Sequence, residues 1–264
     1  MSLPPAKDYA EYQSVEELLS LQRVRTGEHD EMTFMTIAQA MELGYKAAHL
    51  EAVAMRDHLA MDRVDDAITM GSRVATLIEL FTTCWNVYAT MTPLAYLGFR
   101  DALGKGSGFQ SVSYRLLEFA LGNRVAALAN HHRDIPWAWA LIEAEQSRPS
   151  LWDETNRLLA RRGHPIPAAL VERNWAEQYE AHPEVEQAWL GIYRSGEDPQ
   201  LIRLGERLVD VAMRFSEFRA KHLLIVERTM GWRPGTGGTS GVGWLRTITE
   251  HRFFPELWSM RTLL

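Results

Sequence analysis

One histidine stands where an imidazole has to be accounted for. Leu204, Leu208, Val211, Phe215, Phe218, Ile225 and Thr229 recur in steps of three and four, and His222 falls on the same stripe. A polar ring on a buried seam must be hydrogen-bonded or ligated, because leaving it unsatisfied costs about 1–3 kcal/mol. Spacing alone leaves two readings open, a core histidine with a backbone or water partner and a metal ligand. The chain has nine histidines, and the remainder are expected at the surface, with His131-His132 and His182 in polar, loop-like stretches. No H-E-x-x-H or H-x-H spacing offers a zinc site. Cys84, beside Trp85, could ligate a haem as a thiolate, but an apolar helical run without a basic neighbour reads as an inert buried thiol.

Two further segments could bind small anions. Arg100 follows Tyr96 and Phe99, so a guanidinium that can pair bidentately with a carboxylate comes with aromatic walls. The competing reading is a surface arginine with a carboxylate of its own. Gly235-Thr236-Gly237-Gly238-Thr239-Ser240-Gly241 directly follows the long helical stripe. It lacks the lysine of a phosphate-binding loop and follows a helix instead of a strand, which makes a phosphate cradle a poor reading. A loop of this composition lets backbone approach a ligand closely, or lets a lid move.

The elements that must position these groups are helices. Asp198-Pro199 is a start and Gly231 a stop for the His222 helix. Phe34, Ile37, Met41, Tyr45 and Ala48 form a second stripe behind His29-Asp30-Glu31, and residues 64–88 form a third. A shorter run covers 111–121, and residues 130–167 read as short helices broken by prolines. No alternating strand runs or internal repeats occur. The expectation is an all-α chain, a single domain over 1–264, with an N-terminal arm (1–20) and a glycine-rich segment (231–250).

Composition excludes several classes. With a net charge of −6 and a pI near 5.9, no basic face for nucleic acid is expected. A single cysteine rules out an internal disulfide, a four-thiolate cluster and covalent haem attachment. No apolar run reaches membrane-spanning length. Lys7, Asp8, Glu11, Glu16 and Glu17 stand where a secretion signal needs apolar residues, so the expected setting is cytoplasmic.

Taken in order along the chain, Phe99-Arg100-Asp101, Ser107-Gly108-Phe109-Gln110-Ser111, the glycine-rich motif at 235–241, Phe253-Phe254-Pro255-Glu256-Leu257-Trp258 and Arg261-Thr262 resemble the tryptophan 2,3-dioxygenase family. The likeness runs from Tyr9 to Thr262. It implies an all-α homotetramer with one haem b per subunit that opens the indole ring of L-tryptophan with O2. By the same resemblance His222 is the proximal haem ligand, and Trp85 and Gly108 lie near the haem. Phe34, with Met35, Thr36, Ile37 and Ala38 in its segment, Tyr96 and Leu103 belong to the indole pocket. Arg100 binds the substrate carboxylate and Thr236 the ammonium and carboxylate from the closing loop. Tyr9 and Tyr12 are the arm tyrosines that reach a neighbouring subunit's pocket.

One departure bears on the chemistry. The family shows His-Gln-x-x-Glu-Leu where this chain has Ala38-Gln39-Ala40-Met41-Glu42-Leu43. The absent histidine normally accepts the indole N–H; a methyl group cannot, and it leaves volume. A neutral hydrogen bond contributes about 0.5–1.5 kcal/mol, so binding survives its loss more readily than positioning does. The resemblance includes a branch that oxidises substituted tryptophans such as β-methyltryptophan to 2-oxindoles. Ala38 therefore leans the expectation toward one-oxygen insertion supported by an external reductant such as ascorbate. The alternatives are an ordinary dioxygenase forming N-formylkynurenine and a non-catalytic haem sensor; retention of Arg100, Tyr96 and Thr236 counts against the sensor.

Overall fold

Apolar spacing of three and four residues translates into long packed helices. A computed structural model describes residues 5–238 and 240–264. Short helices α1 (Tyr9–Gln13) and α2 (Val15–Leu19) form the arm and bury nothing. Helices α3 (His29–Ala60) and α4 (Val64–Tyr88) follow, then α5 (Pro93–Arg100), α6 (Val112–Leu121) and α7 (Ala126–Asn130). Next come α8 (Pro136–Gln146), α9 (Leu151–Arg161), α10 (Ala168–Val171) and α11 (Pro183–Ser195). The chain ends with α12 (Pro199–Met230), α13 (Val242–Glu250) and α14 (Pro255–Ser259). No strand occurs among the described residues, so the fold is all-α as the sequence implies.

The three longest helices make the frame. α4 packs along α3 on one side and α12 on the other, and α6 lies against α3. α12 buries Leu204, Leu208, Val211, Phe215 and Phe218, the stripe that carries His222. α4 answers with Val74, Ile78, Phe81, Trp85 and Tyr88. Local chemistry sets the boundaries. Asp198 accepts from the backbone N–H of Gln200 and Leu201, with Pro199 at the first helical position. Thr92 caps α5 and Ser111 caps α6 in the same manner. Ser107 and Gln110 form a reciprocal capping box around the 3-10 turn Gly108–Gln110.

His132 departs from its expected place at the surface. It is fully buried and neither ring nitrogen has a hydrogen-bond partner. The polar flanks misled because His131 and Arg133 stay outside while the turn after α7 folds His132 inward. His182 does sit at a helix end, where its Nδ1 accepts from the backbone of Glu184. Thr239 of the glycine-rich motif and the first four residues of the arm lie outside the described residues. No helix among the described residues is long and apolar enough to cross a membrane.

Candidate functional site

A cavity of about 570 Å³ opens between α3, α4, α6 and α12 and is bordered by residues 106–111 and by Gly235, Thr236 and Gly241. Of the residues singled out in the sequence, Phe34, Ala38, Trp85, Tyr96, Leu103, Gly108, His222 and Thr236 all line it. Met35, Thr36, Ile37, Arg100, Tyr9 and Tyr12 do not. A separate cleft of about 380 Å³ beside His164, Gln187 and Glu197 lies apart from these groups.

His222 meets the cavity from α12. Its ring lies against Trp85, with centroids 4.3 Å apart and planes inclined by 13°. Phe218 approaches at 6.3 Å. Burial pushes the imidazole pKa down to about 4, so the ring is neutral at pH 7 and keeps a lone pair. The His222 ring makes no side-chain hydrogen bond among the described residues. Nε1 of Trp85, stacked on it, and Oγ1 of Thr229, two turns further along α12, are buried without partners. Among the described residues no cluster of three or more His, Cys, Asp or Glu could cage a metal ion, so any metal bound at His222 has to arrive with ligands of its own.

Aromatic rings build the rest of the wall. Phe34 sits 5.2 Å from Tyr88, 5.3 Å from Phe99 and 6.0 Å from Tyr96. The Tyr88 hydroxyl donates to the Phe34 carbonyl at 3.0 Å, tying α4 to α3. Burial raises the phenol pKa of Tyr45, Tyr88, Tyr96 and Tyr114, so this lining stays uncharged. Cys84, adjacent to Trp85 in sequence, is part-buried, and burial pushes its thiol pKa up. Ala38 lies one turn after Phe34 on the same wall, with Glu42 one turn further.

Two segments meet beside the cavity, and Arg100, at the end of α5, reaches one of them. Arg100 Nη2 donates to the Pro234 carbonyl at 2.8 Å, and its Nε is buried without a partner. Thr236 Oγ1 donates to the Gly106 carbonyl at 2.5 Å. The two glycine-rich segments touch so closely that a Cβ at Gly237 would stand 2.7 Å from Ser107 Cβ. Gly241 has φ +62°, and a Cβ there would meet the Arg233 carbonyl oxygen at 2.6 Å. These contacts account for Gly237 and Gly241, where a side chain would collide with Ser107 and with the Arg233 carbonyl. Tyr9 and Tyr12 are each 76% exposed on α1, away from the cavity.

Sequence reasoning missed Tyr88, Tyr114, Arg115, Thr229 and Trp244 as cavity residues. Tyr88 and Thr229 sit on stripes that were visible, so their burial was legible but the side they face was not. Arg115 had no spacing signal, since its burial depends on a carboxylate and a helix distant in sequence.

A largely aromatic cavity with one neutral imidazole facing it, and Glu42 and Arg115 as the charged groups of its lining, suits a large flat ligand that carries its own metal; the residues present fit a haem. Comparison with known proteins agrees with that architecture. The tryptophan 2,3-dioxygenase family model matches residues 4–136 and 144–264. The tryptophan 2,3-dioxygenase of Polaromonas sp. (strain JS666) is 42% identical over 258 residues, covering 96% of this chain and 87% of that protein. The enzyme of that name from Caulobacter vibrioides is 42% identical over 260 residues, covering 97% and 98%. A third, from Shewanella woodyi, is 39% identical over 257 residues, covering 97% and 90%. With the match extending across nearly the whole chain and the cavity built from the matched segments, this protein belongs to the tryptophan 2,3-dioxygenase family of oxidoreductases.

Proposed function

We propose that the chain is a haem b-dependent oxygenase that opens the indole ring of L-tryptophan with O2 to give N-formylkynurenine. His222 carries this reading: it is the one unpartnered neutral imidazole facing an aromatic cavity in a chain of this family. The haem, when bound, supplies the iron chemistry that lets O2 react with a closed-shell indole. The protein's part is placement. His222 offers its lone pair from α12, held in orientation by Trp85. Arg100, whose Nε has no partner, takes the substrate carboxylate, and Thr236 exchanges the Gly106 carbonyl for the amino-acid end. Phe34, Tyr96 and Leu103 supply the apolar wall that would confine the indole and keep water out. Tyr9 and Tyr12, exposed on the arm, are free to reach a second copy's cavity in a homotetramer.

A second reading rests on Ala38. At that position the cavity presents a methyl group, so the indole N–H finds no side-chain acceptor there. A substituted tryptophan with room to shift would then take one oxygen atom and form a 2-oxindole, with a reductant such as ascorbate accounting for the second. The full-length relatives favour ring opening over this branch.

The test of the site is His222→Ala in the full chain. It should leave a helical protein that carries little haem, whereas the parent carries about one per chain. A variant that keeps a five-coordinate histidine spectrum would overturn the assignment.

A further inference from the structure

The haem reading of the cavity leaves a charge unexplained. Arg115, on α6, lines the same cavity as His222 and is 1% exposed. Its Nη1 donates to Glu118, while its Nε is buried with no partner. Glu118 is shared, because Arg219 Nη2 donates to its Oε1 at 2.5 Å. Arg219 is also fully buried and stacks on Phe215 and Phe253. Two guanidinium groups therefore meet one carboxylate in a region closed to water.

The groups around them do not supply a second negative charge. Burial works to raise the Glu118 pKa, but Arg115 and Arg219 outweigh it and keep the carboxyl ionised, so it counts as one charge. Tyr114 keeps its proton. His251, whose Nδ1 is 3.1 Å from Arg219 Nη1, is held neutral by burial with a pKa of about 4. His132, near Arg115, is also shifted down by burial. Glu42 stands on the α3 wall of the cavity, and no carboxylate other than Glu118 comes within 4.0 Å of Arg115 among the described residues. The cluster of Arg115, Arg219 and Glu118 thus carries one excess positive charge beside the cavity, out of reach of Glu42, and an unpaired buried charge is costly enough that an anion is its natural complement.

We infer that Arg115 anchors a propionate carboxylate of the haem, so that α6 fixes the ring's edge while α12 fixes its centre. This rests on the haem reading above. An amphipathic ligand is what the cavity asks for: a wide apolar body against Trp85, Tyr45 and Phe218, and an acid group at its margin. The substrate carboxylate has a different partner in Arg100 on α5, so the two acids are sorted by helix.

The experiment compares haem with its dimethyl ester, the same ring without the negative charges. Full-length protein loaded with either form is mixed with excess apomyoglobin, and the rate of loss is followed by absorbance. Arg115→Met should lose haem at least ~10-fold faster than the parent, as expected for removing one side of a buried charge-assisted contact. The same substitution should leave loss of the ester nearly unchanged, and Arg115→Lys should restore most of the difference. In the parent protein itself the ester should leave faster than haem, a comparison that needs no variant to fold. Equal rates for the two ligands in the parent, or an Arg115→Met effect of equal size on both, would overturn the propionate anchor while leaving the haem site standing. A parent that retains neither ligand would instead overturn the haem reading itself, and the anchor with it.

Discussion

The imidazole of His222 lies face to face with the indole of Trp85, with ring centroids 4.3 Å apart and a 13° interplanar angle. α4 thereby fixes the rotation of a side chain that α12 carries and that lines the cavity. Coupling between the two positions should be measurable. A double-mutant cycle of Trp85→Leu and His222→Ala, followed by urea unfolding of the haem-free chain, should give about 0.5–1.5 kcal/mol of interaction. Strict additivity would mean that the stack orients nothing.

Arg100 should govern substrate affinity without governing haem content. Its guanidinium rests on the Pro234 carbonyl and keeps an unsatisfied Nε. Arg100→Ala should weaken tryptophan binding by about 2–5 kcal/mol, read from the substrate-induced change in the haem spectrum. A variant with unchanged affinity, or one that loses haem instead, would place the carboxylate elsewhere.

Stability should fall on mild acidification in a way that reports on His251. Burial and the neighbouring Arg219 hold its folded pKa near 4, against 6.5 for a free imidazole. Between those values the unfolded chain takes up a proton that the native state refuses, so stability declines as pH drops from about 6.5 toward 4. The haem-free protein should show this slope in chemical denaturation, with His222 contributing to it for the same reason, and His251→Gln should make it shallower by the share of one proton. An unaltered slope in that variant would mean that His251 titrates alike in both states.

Much of the frame was legible in the sequence because burial on a helix leaves a periodic trace. The α12 stripe placed His222 at a buried seam, and the α3 and α4 stripes predicted the helices that face it. What periodicity cannot report is which buried positions face a cavity and which face packed neighbours. Ile37 and Phe34 share a stripe and both pack against the core, yet only Phe34 also lines the cavity. Arg115 and Arg219 carried no signal in the sequence: Arg115 and Glu118 are three residues apart, as in many solvent-facing helical pairs, and the arrival of Arg219 from α12 that buries them has no local trace. His132 looked exposed for the complementary reason, because its polar neighbours describe the turn and say nothing of the direction of one ring.

The central claim is most directly tested by the fate of oxygen. Ferrous holoprotein is incubated with L-tryptophan, and separately with β-methyltryptophan, under labelled O2 with and without ascorbate, and products are resolved by mass spectrometry. Ring opening predicts N-formylkynurenine from tryptophan at the parent mass plus both labelled atoms, independent of ascorbate. A product from tryptophan with one labelled atom, formed only with the reductant, would contradict ring opening and transfer the function to the one-oxygen chemistry that Ala38 allows.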